Sequence, residues 1–253
     1  MYQTILLQMV APIRNICLFL LLGCVCPMQA QLHFNADVKS NHLWRGIEVA
    51  DGVVLTADVN YSLLDGMVNI GLWGGTNATG TYKEFNNHLS LCYRGFSLSF
   101  WDTYNFSPGA TYNNREFFNY QAHETGRFLD ATASYHFGKK FPLLLSWSTV
   151  LFGRDRNTEN TANKYSTFCY AEYAVYQNEC WQIDAGIGGA FALNRSGDSS
   201  HFYGDKAGIV HMMLKVTRRV NIGKWKLPIY ACALWNPQSD RAFLQIGAQV
   251  FSF

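Results

Sequence analysis

Serine and histidine stand two residues apart at His88 and Ser90, and again at Ser134 and His136. On an extended strand that spacing puts both side chains on one face. A serine beside a histidine is the start of nucleophilic hydrolysis. That chemistry also needs a third group to orient the histidine and donors for an oxyanion, all in register. One strand supplies only adjacency, and no Gly-x-Ser-x-Gly turn surrounds any serine. His123 and Asp155 lie in two polar stretches and could serve a protease-type site, but charges in such stretches are as a rule simply solvated. Beyond residue 30 four cysteines remain: Cys92, Cys169, Cys180 and Cys232. They form no CxxC and no metal-ligand spacing, so no metal or other cofactor is expected. They read as small apolar residues in strands, and a disulfide between two of them stays open in an oxidising compartment.

A second set of residues has a different character. Asp37, Lys39, Asp58, Glu84, Asp130, Glu172, Asp184 and Lys215 each fall at the polar parity of an alternating segment. His88 and His211 share that parity. Packing so many ionisable groups into a dry core is severely unfavourable without near-perfect pairing. A water-filled interior removes the difficulty. The eight charged residues are therefore the candidate lining of a pore.

The segments that position them have period two. Leu55, Ala57, Val59, Tyr61 and Leu63 alternate with Thr56, Asp58, Asn60 and Ser62. Leu129, Ala131, Ala133 and Tyr135 alternate with Asp130, Thr132, Ser134 and His136. Ile183, Ala185 and Ile187 oppose Gln182, Asp184 and Gly186. Such segments recur about twelve times at a length of about ten residues. Short turns join them at Leu64-Asp65-Gly66, Tyr93-Arg94-Gly95, Phe137 to Lys140, Gln177-Asn178-Glu179 and Asn221 to Lys224. Longer polar loops fall between those turns, from Gly75 to Thr81, Ser107 to Gly126, Arg154 to Asn163, Asn194 to Asp205 and Asn236 to Asp240. Short and long connections strictly alternate. The fold class expected is all-β: a transmembrane antiparallel up-and-down barrel of about twelve strands, with tight turns on one rim and long loops on the other. A soluble sandwich or lipocalin-like barrel is the alternative. In a bilayer the sheet must close and turn its apolar face outward. Trp73, Phe128, Phe168 and Tyr170 are then expected to point inward and to narrow or fill the lumen. The third loop, Ser107 to Gly126, is the longest: it is expected to fold inward as a constriction, to cover the mouth, or to lie as a surface loop anchored by its aromatics Tyr112, Phe117, Phe118 and Tyr120 at the interface. Pro228 is expected where strand pairing begins.

The start and the composition fit the same setting. Arg14 is the only charged residue among the first thirty, and Ile16 to Cys26 is an unbroken apolar stretch ended by Pro27. Its core is about half the roughly 20 residues a membrane helix needs. Residues 1–30 read as a secretory signal peptide cut before Gln31, and 31–253 as the barrel. Leu21-Leu22-Gly23-Cys24 also resembles a lipoprotein box, which would leave Cys24 lipidated. Aromatic residues make up 15% of the chain and charged ones 15%, against a typical ~25% charged. Without Arg14 the chain carries 19 basic and 18 acidic residues, 19 − 18 = +1, which argues against nucleic acid as a partner. The sequons Asn77-Ala78-Thr79 and Asn194-Arg195-Ser196 read as chance.

Two stretches carry a family resemblance. Ser40-Asn41-His42-Leu43-Trp44-Arg45-Gly46, with the run from Phe85 to Gly95, is similar to the opening of uncharacterised porins of the Gram-negative outer membrane. The ending Phe251-Ser252-Phe253 is similar to the signal by which such barrels are recognised and folded into that membrane. The terminal pattern departs from the family's, because Gln245, Gly247 and Gln249 share the parity of Phe253, and only a bulge would restore the register. The resemblance implies location in the outer membrane, contact with lipid and lipopolysaccharide, and delivery by the barrel-assembly machinery through the last strand. It implies passive passage of small polar solutes. The alternatives are a structural or surface-interaction barrel with a filled lumen and, as a lesser one, a membrane hydrolase.

Overall fold

Antiparallel pairing runs without a break from β1 round to β14 and back, closing twelve strands into one barrel. The computed structural model describes residues 31–194, 199–223 and 225–253. The expected leader, the sequon residues Arg195 and Ser196, and Lys224 of the last short turn lie outside them. The wall consists of β1 (Gln31–Lys39), β4 (Val54–Leu63), β5 (Val68–Asn77), β6 (Lys83–Tyr93), β7 (Phe96–Asn105), β8 (Arg127–His136), β9 (Leu143–Gly153), β10 (Ser166–Gln177), β11 (Trp181–Ala192), β12 (Gly208–Ile222), β13 (Trp225–Asn236) and β14 (Arg241–Ser252). Two short strands, β2 (His42–Trp44) and β3 (Ile47–Ala50), form a separate hairpin inside the first long connection. All the short turns share one rim and all the long loops the other, as the alternation predicts.

The ladders fix which way each side chain faces. Asp58 pairs with Trp73, Trp73 with Asn86, and Asn86 with Thr103, so the polar parity of each strand meets that of its neighbours. The other parity is apolar and exposed. Leu55, Ile70, Leu72, Ile187, Leu214 and Ile246 are each about half exposed on the outer surface. A soluble barrel would bury those residues; a barrel in lipid presents them. Around the short-turn rim Tyr93, Phe96, Phe137, Tyr176, Trp181 and Phe253 form a ring of exposed aromatics. Phe106, Phe118, Tyr120, Tyr165 and Trp235 form another near the long loops. Two aromatic girdles flanking an apolar band match the cross-section of a bilayer.

Inside, large side chains lie back against the wall where a neighbouring strand has no side chain of its own. A Cβ on Gly71 would strike the His88 ring, one on Gly186 the Tyr170 hydroxyl, one on Gly188 the Phe168 ring and one on Gly247 the Tyr230 ring. Glycine at these inward positions therefore lets rings fold flat and keeps the lumen from filling completely. Trp73, Phe128, Phe168 and Tyr170 all point inward, as expected.

The end of the chain settles its own register. Asp37 pairs with Gln249, but Ala36 pairs with Phe251, so Val250 is bulged out. Beyond the bulge Phe251 and Phe253 sit on the outer face, and Phe34 exchanges both backbone hydrogen bonds with Phe253. The bulge thus returns the terminal phenylalanines to the apolar parity. Pro228 lies within β13: that strand pairs with β12 from Trp225 but with β14 only from Ile229. The proline marks where pairing begins on one flank alone, as its missing N–H requires. The four described cysteines are unpaired.

Candidate functional site

The first long connection turns into the barrel. Asn41 is fixed at its root, where the Gln245 side-chain amide donates to its carbonyl at 2.7 Å. Ser40 is tied to β14 as well, its N–H donating to the Ile246 carbonyl at 2.8 Å. At the tip Arg45 and Gly46 both take positive φ, 46° and 88°, the two-residue turn that suits a tight hairpin. Gly46 passes so close to the Val210 carbonyl that no Cβ would fit, and its own carbonyl accepts from Asn236 Nδ2 at 3.0 Å.

Arg45 is what the tip delivers. Its Nη1 and Nη2 donate to the two carboxylate oxygens of Asp130, on the inner wall of β8, at 2.8 and 2.7 Å. The same guanidinium donates to the Tyr203 hydroxyl at 2.7 Å and to Thr132 Oγ1 at 3.1 Å. Trp44 packs among Phe128, Phe202 and Tyr203, with ring centres 5.3–5.7 Å away. Burial alone would disfavour the Arg45 charge. Tyr203 and the Asp130 carboxylate outweigh it, and the pKa of Arg45 is raised. A two-point pair of this kind, nearly dry, is among the stronger polar contacts a protein makes.

The hairpin divides the lumen unequally. On the side of β10 to β12, Phe168, Ala190, Tyr203 and Val210 are buried together, with Tyr170 packed against them. On the side of β5 to β8 there is a cavity of about 930 Å³. Its floor and walls include Asn105, Thr103, Trp101 and Ser99, the successive inward residues of β7, so it descends from the long-loop rim almost to the strand's lower end at Phe96. Asp51, Gly52, Thr79 and Ala110 edge its mouth. His42 of the hairpin faces this cavity, 5.7 Å from the Trp73 ring and 5.6 Å from Tyr82. Burial first, and then Lys39, push its pKa down to about 4, which leaves it neutral at pH 7.

The eight charged residues expected to line a pore all lie on the inward face of their strands. They do not form one cluster. Lys39 stands 3.8 Å from Asp37. Asp58 meets His88 Nε2 at 2.8 Å and accepts from Asn60. Glu84 accepts from Asn86 and Asn105. Asp130 holds Arg45, while Glu172 accepts from the Tyr170 hydroxyl and Asp184 from Gln182. Lys215 lies 4.7 Å from the centre of the Tyr230 ring. Each charge but Asp130, which reaches across to the hairpin, thus has a partner within its own stretch of wall.

The hydrolase pairs do not assemble. His88 engages Asp58, whereas Ser90 donates to Ser99. His123 bonds the Asn160 carbonyl, and Asp155 accepts from Ser166.

Of the readings open for the third loop, the surface loop anchored by its aromatics is the one the structure shows, with Ala110 and Tyr112 reaching the cavity mouth. The first loop, not the third, enters the lumen, because Arg45 finds a buried carboxylate there. The third loop sits astride the rim. Tyr112 reaches the cavity, its ring 3.9 Å beneath the Arg154 guanidinium. Farther along, Phe117 packs on the outward rings of Phe85 and Tyr104. Arg127, on the outer face, is covered by this segment and bonded to Asp102 at 2.8 Å and to the Phe117 carbonyl at 2.7 Å. Sequence reading placed Arg154 near the mouth but missed Arg45 and Tyr203. A signal for Arg45 existed: Arg45-Gly46 repeats the Arg94-Gly95 dipeptide that turns β6 into β7.

No protein-family model matches the chain, and no curated protein matches it. Among solved structures it is similar to a mutant of Rh. blastica porin at 14% identity and a TM-score of 0.37. That likeness spans 79% of this chain and 55% of the porin, little more than half of the porin's length. It is similar to a bacterial polysaccharide outer membrane secretin at 11% identity and a TM-score of 0.38, over 88% of this chain and 72% of that one. An outer membrane channel from Pseudomonas putida F1 follows at 12% identity and a TM-score of 0.37, covering 87% and 93%.

Proposed function

We propose that this chain is a narrow channel of the Gram-negative outer membrane for passive passage of small polar solutes, constricted by the hairpin of β2 and β3. One observation carries the reading: an open cavity runs beside the hairpin down most of the length of β7. The apolar outer band and the two aromatic girdles support a membrane site. The inward charges support an aqueous interior, because Glu84, Glu172, Asp184 and Lys215 are engaged by neutral groups alone, and charges without countercharges are severely unfavourable in a dry core. In this reading Lys39, Glu84 and Asp130 border the open cavity, and Asp37, Asp58, Glu172, Asp184 and Lys215 face the lumen elsewhere along the wall. Residues 1–30 are a leader removed on export. The last strand, with Phe251 and Phe253 outward, is the part presented to the barrel-assembly machinery, and the girdles meet phospholipid and lipopolysaccharide. We read the protein as a conduit and not a catalyst, since the His88–Asp58 pair has no serine hydrogen-bonded to it and Ser90 turns to Ser99 instead.

Single-channel recording on the refolded mature barrel in planar bilayers tests this. Small, steady conductance steps are expected. A specific observation favours a second reading, a barrel with a filled lumen: the hairpin and the Phe168 cluster close the side of β10 to β12. A correctly folded, heat-modifiable barrel without conductance would establish that reading instead.

A further inference from the structure

We infer that the cavity beside the hairpin is a binding site for a neutral carbohydrate of more than one sugar ring. The inference deepens the channel reading, because it names the class of solute, although binding itself requires no conductance.

The first argument is charge. The ionisable residues bordering the cavity, His42 aside, are Lys39, Arg45 and Arg154 against Asp51, Glu84 and Asp130, so 3 − 3 = 0. Most of these are already engaged: Lys39 with Asp37, Arg45 with Asp130, Glu84 with two asparagine amides. His42 adds no charge at pH 7. An ionic solute would lose hydration on entering and find no net countercharge. A neutral solute pays no such cost.

The second argument is the lining. Trp73 and Trp101 border the cavity, and both are held flat. Trp101 is stacked on His88 with ring centres 4.5 Å apart and planes 19° from parallel. Trp73 folds back over Gly75, where a Cβ would meet its ring. Between and above them stand hydroxyl and amide groups, among them Ser99, Thr103, Asn77, Asn86 and Asn105. Flat indoles take the C–H faces of pyranose rings, and hydroxyls and amides take the rims. Few other small molecules are apolar on two faces and hydrogen-bonding all round the edge. One further group in the wall, Arg154 Nε, has no hydrogen-bond partner. A buried polar group without a partner is costly, and a sugar oxygen seated beside it would meet that need after a small side-chain shift.

The third argument is size. At about 930 Å³ the cavity lies within the roughly 300–1,000 Å³ of pockets that enclose drug-sized ligands. One pyranose ring would rattle in it.

The test uses the full mature barrel in detergent and its own tryptophans. Trp44, Trp73 and Trp101 border the cavity, whereas Trp147 is half exposed on the outer face. Titration with maltotriose and with cellotriose should give a saturable change in tryptophan fluorescence for at least one of them. Glycine betaine, a zwitterion, and potassium phosphate should give none. Trp73→Leu should weaken apparent affinity by about tenfold, Thr103→Val should weaken it several-fold, and Trp147→Leu should leave it unchanged. If one tryptophan variant fails to fold, as its lost heat-modifiability would report, the other and Thr103→Val still decide. Neither trisaccharide producing a change up to its solubility limit would overturn the inference, as would equal responses from the cavity variants and Trp147→Leu. Response to betaine or phosphate alone would overturn it in favour of a charged solute. A barrel that conducts yet binds no sugar keeps the channel reading and loses this one. A barrel that binds sugar yet does not conduct does the reverse.

Discussion

Remove the Asp130 carboxylate and the hairpin should leave the lumen. Asp130→Ala deletes the acceptor of two Arg45 bonds, at 2.7 and 2.8 Å, in a pair whose side chains are only 4% and 13% exposed. The stranded guanidinium keeps Tyr203 and Thr132 as neutral acceptors. Breaking a buried pair by removing one partner costs about 3–5 kcal/mol. At about 1.4 kcal/mol per decade, docking of the hairpin weakens by two to three and a half orders of magnitude. The remaining ties, Asn236 to Gly46 and Gln245 to Asn41, are ordinary hydrogen bonds worth about 1 kcal/mol each. They cannot replace it. Two assays follow. Conductance in planar bilayers should rise several-fold and fluctuate as the hairpin moves in and out. Trypsin added from the long-loop side should cut after Arg45, which the wild-type fold shields. Arg45→Ala should raise conductance alike, and the double variant should cost less than the two singles summed, with a coupling of about 1.5 kcal/mol or more. If both single variants conduct as the wild type, and Arg45 stays uncut in a heat-modifiable Asp130→Ala barrel, the latch does not hold the hairpin and the reasoning fails.

Acid should loosen the same hairpin. His42 has its pKa held near 4 in the docked state and near 6.5 when exposed. The undocked form therefore binds the proton more readily, and docking weakens as pH falls from about 6.5 towards 4, by at most about 3 kcal/mol. Open probability at pH 5 should exceed that at pH 7, and His42→Gln should flatten the dependence; a His42→Gln profile identical to wild type would remove His42 as the cause. On the outer face, Ala185→Lys should cost roughly 2–4 kcal/mol in folding yield or urea stability, and Asp184→Asn far less. Equal losses would reverse the facing assigned to β11. Acidic residues outnumber basic ones among the eight inward charges, so weak cation preference is expected. Neutralising Asp58 and Asp184 together should move the reversal potential in a salt gradient towards anions, and no movement would exclude them from the path. N-terminal sequencing of the mature protein should begin near Gln31, and a lipidated Cys24 would displace that cleavage site.

Period two made the wall legible. Where a strand runs nine residues or more with one face in lipid, the alternation is long enough to read, and strand number, facing and rim assignment all follow. Asp58 and Asp184 could be placed inward on that ground alone. The hairpin was not legible in the same way. Its strands have three and four residues, too few to show a period, and its direction depends on Arg45 meeting Asp130, 85 residues away. Nothing local announces such a pair. The terminal bulge was foreseeable only as a need, because parity shows that a residue must be skipped but not which one. The third loop stayed open between inward and surface readings because length and aromatic content do not show on which face of the wall its rings pack. Its aromatic residues in fact lie over Arg127, an outward charge that would otherwise face lipid.

The seam where β1 meets β14 is a ladder of five residue pairs, with Phe34 and Phe253 as one more beyond its end, against eleven between β12 and β13. It joins residues such as Asn35 and Ser252, 217 positions apart, whereas every other ladder in the wall is a local hairpin. Local hairpins form early, and the most distant pairing comes last. The inner hairpin needs Asp130 on β8, Asn236 on β13 and Gln245 on β14 at once, and it branches from the chain directly above the seam. Those three contacts stand in correct relation only once the cylinder is complete. The order of assembly expected from this is that the wall closes first as an empty tube and the chain between Ser40 and Val53 swings in afterwards.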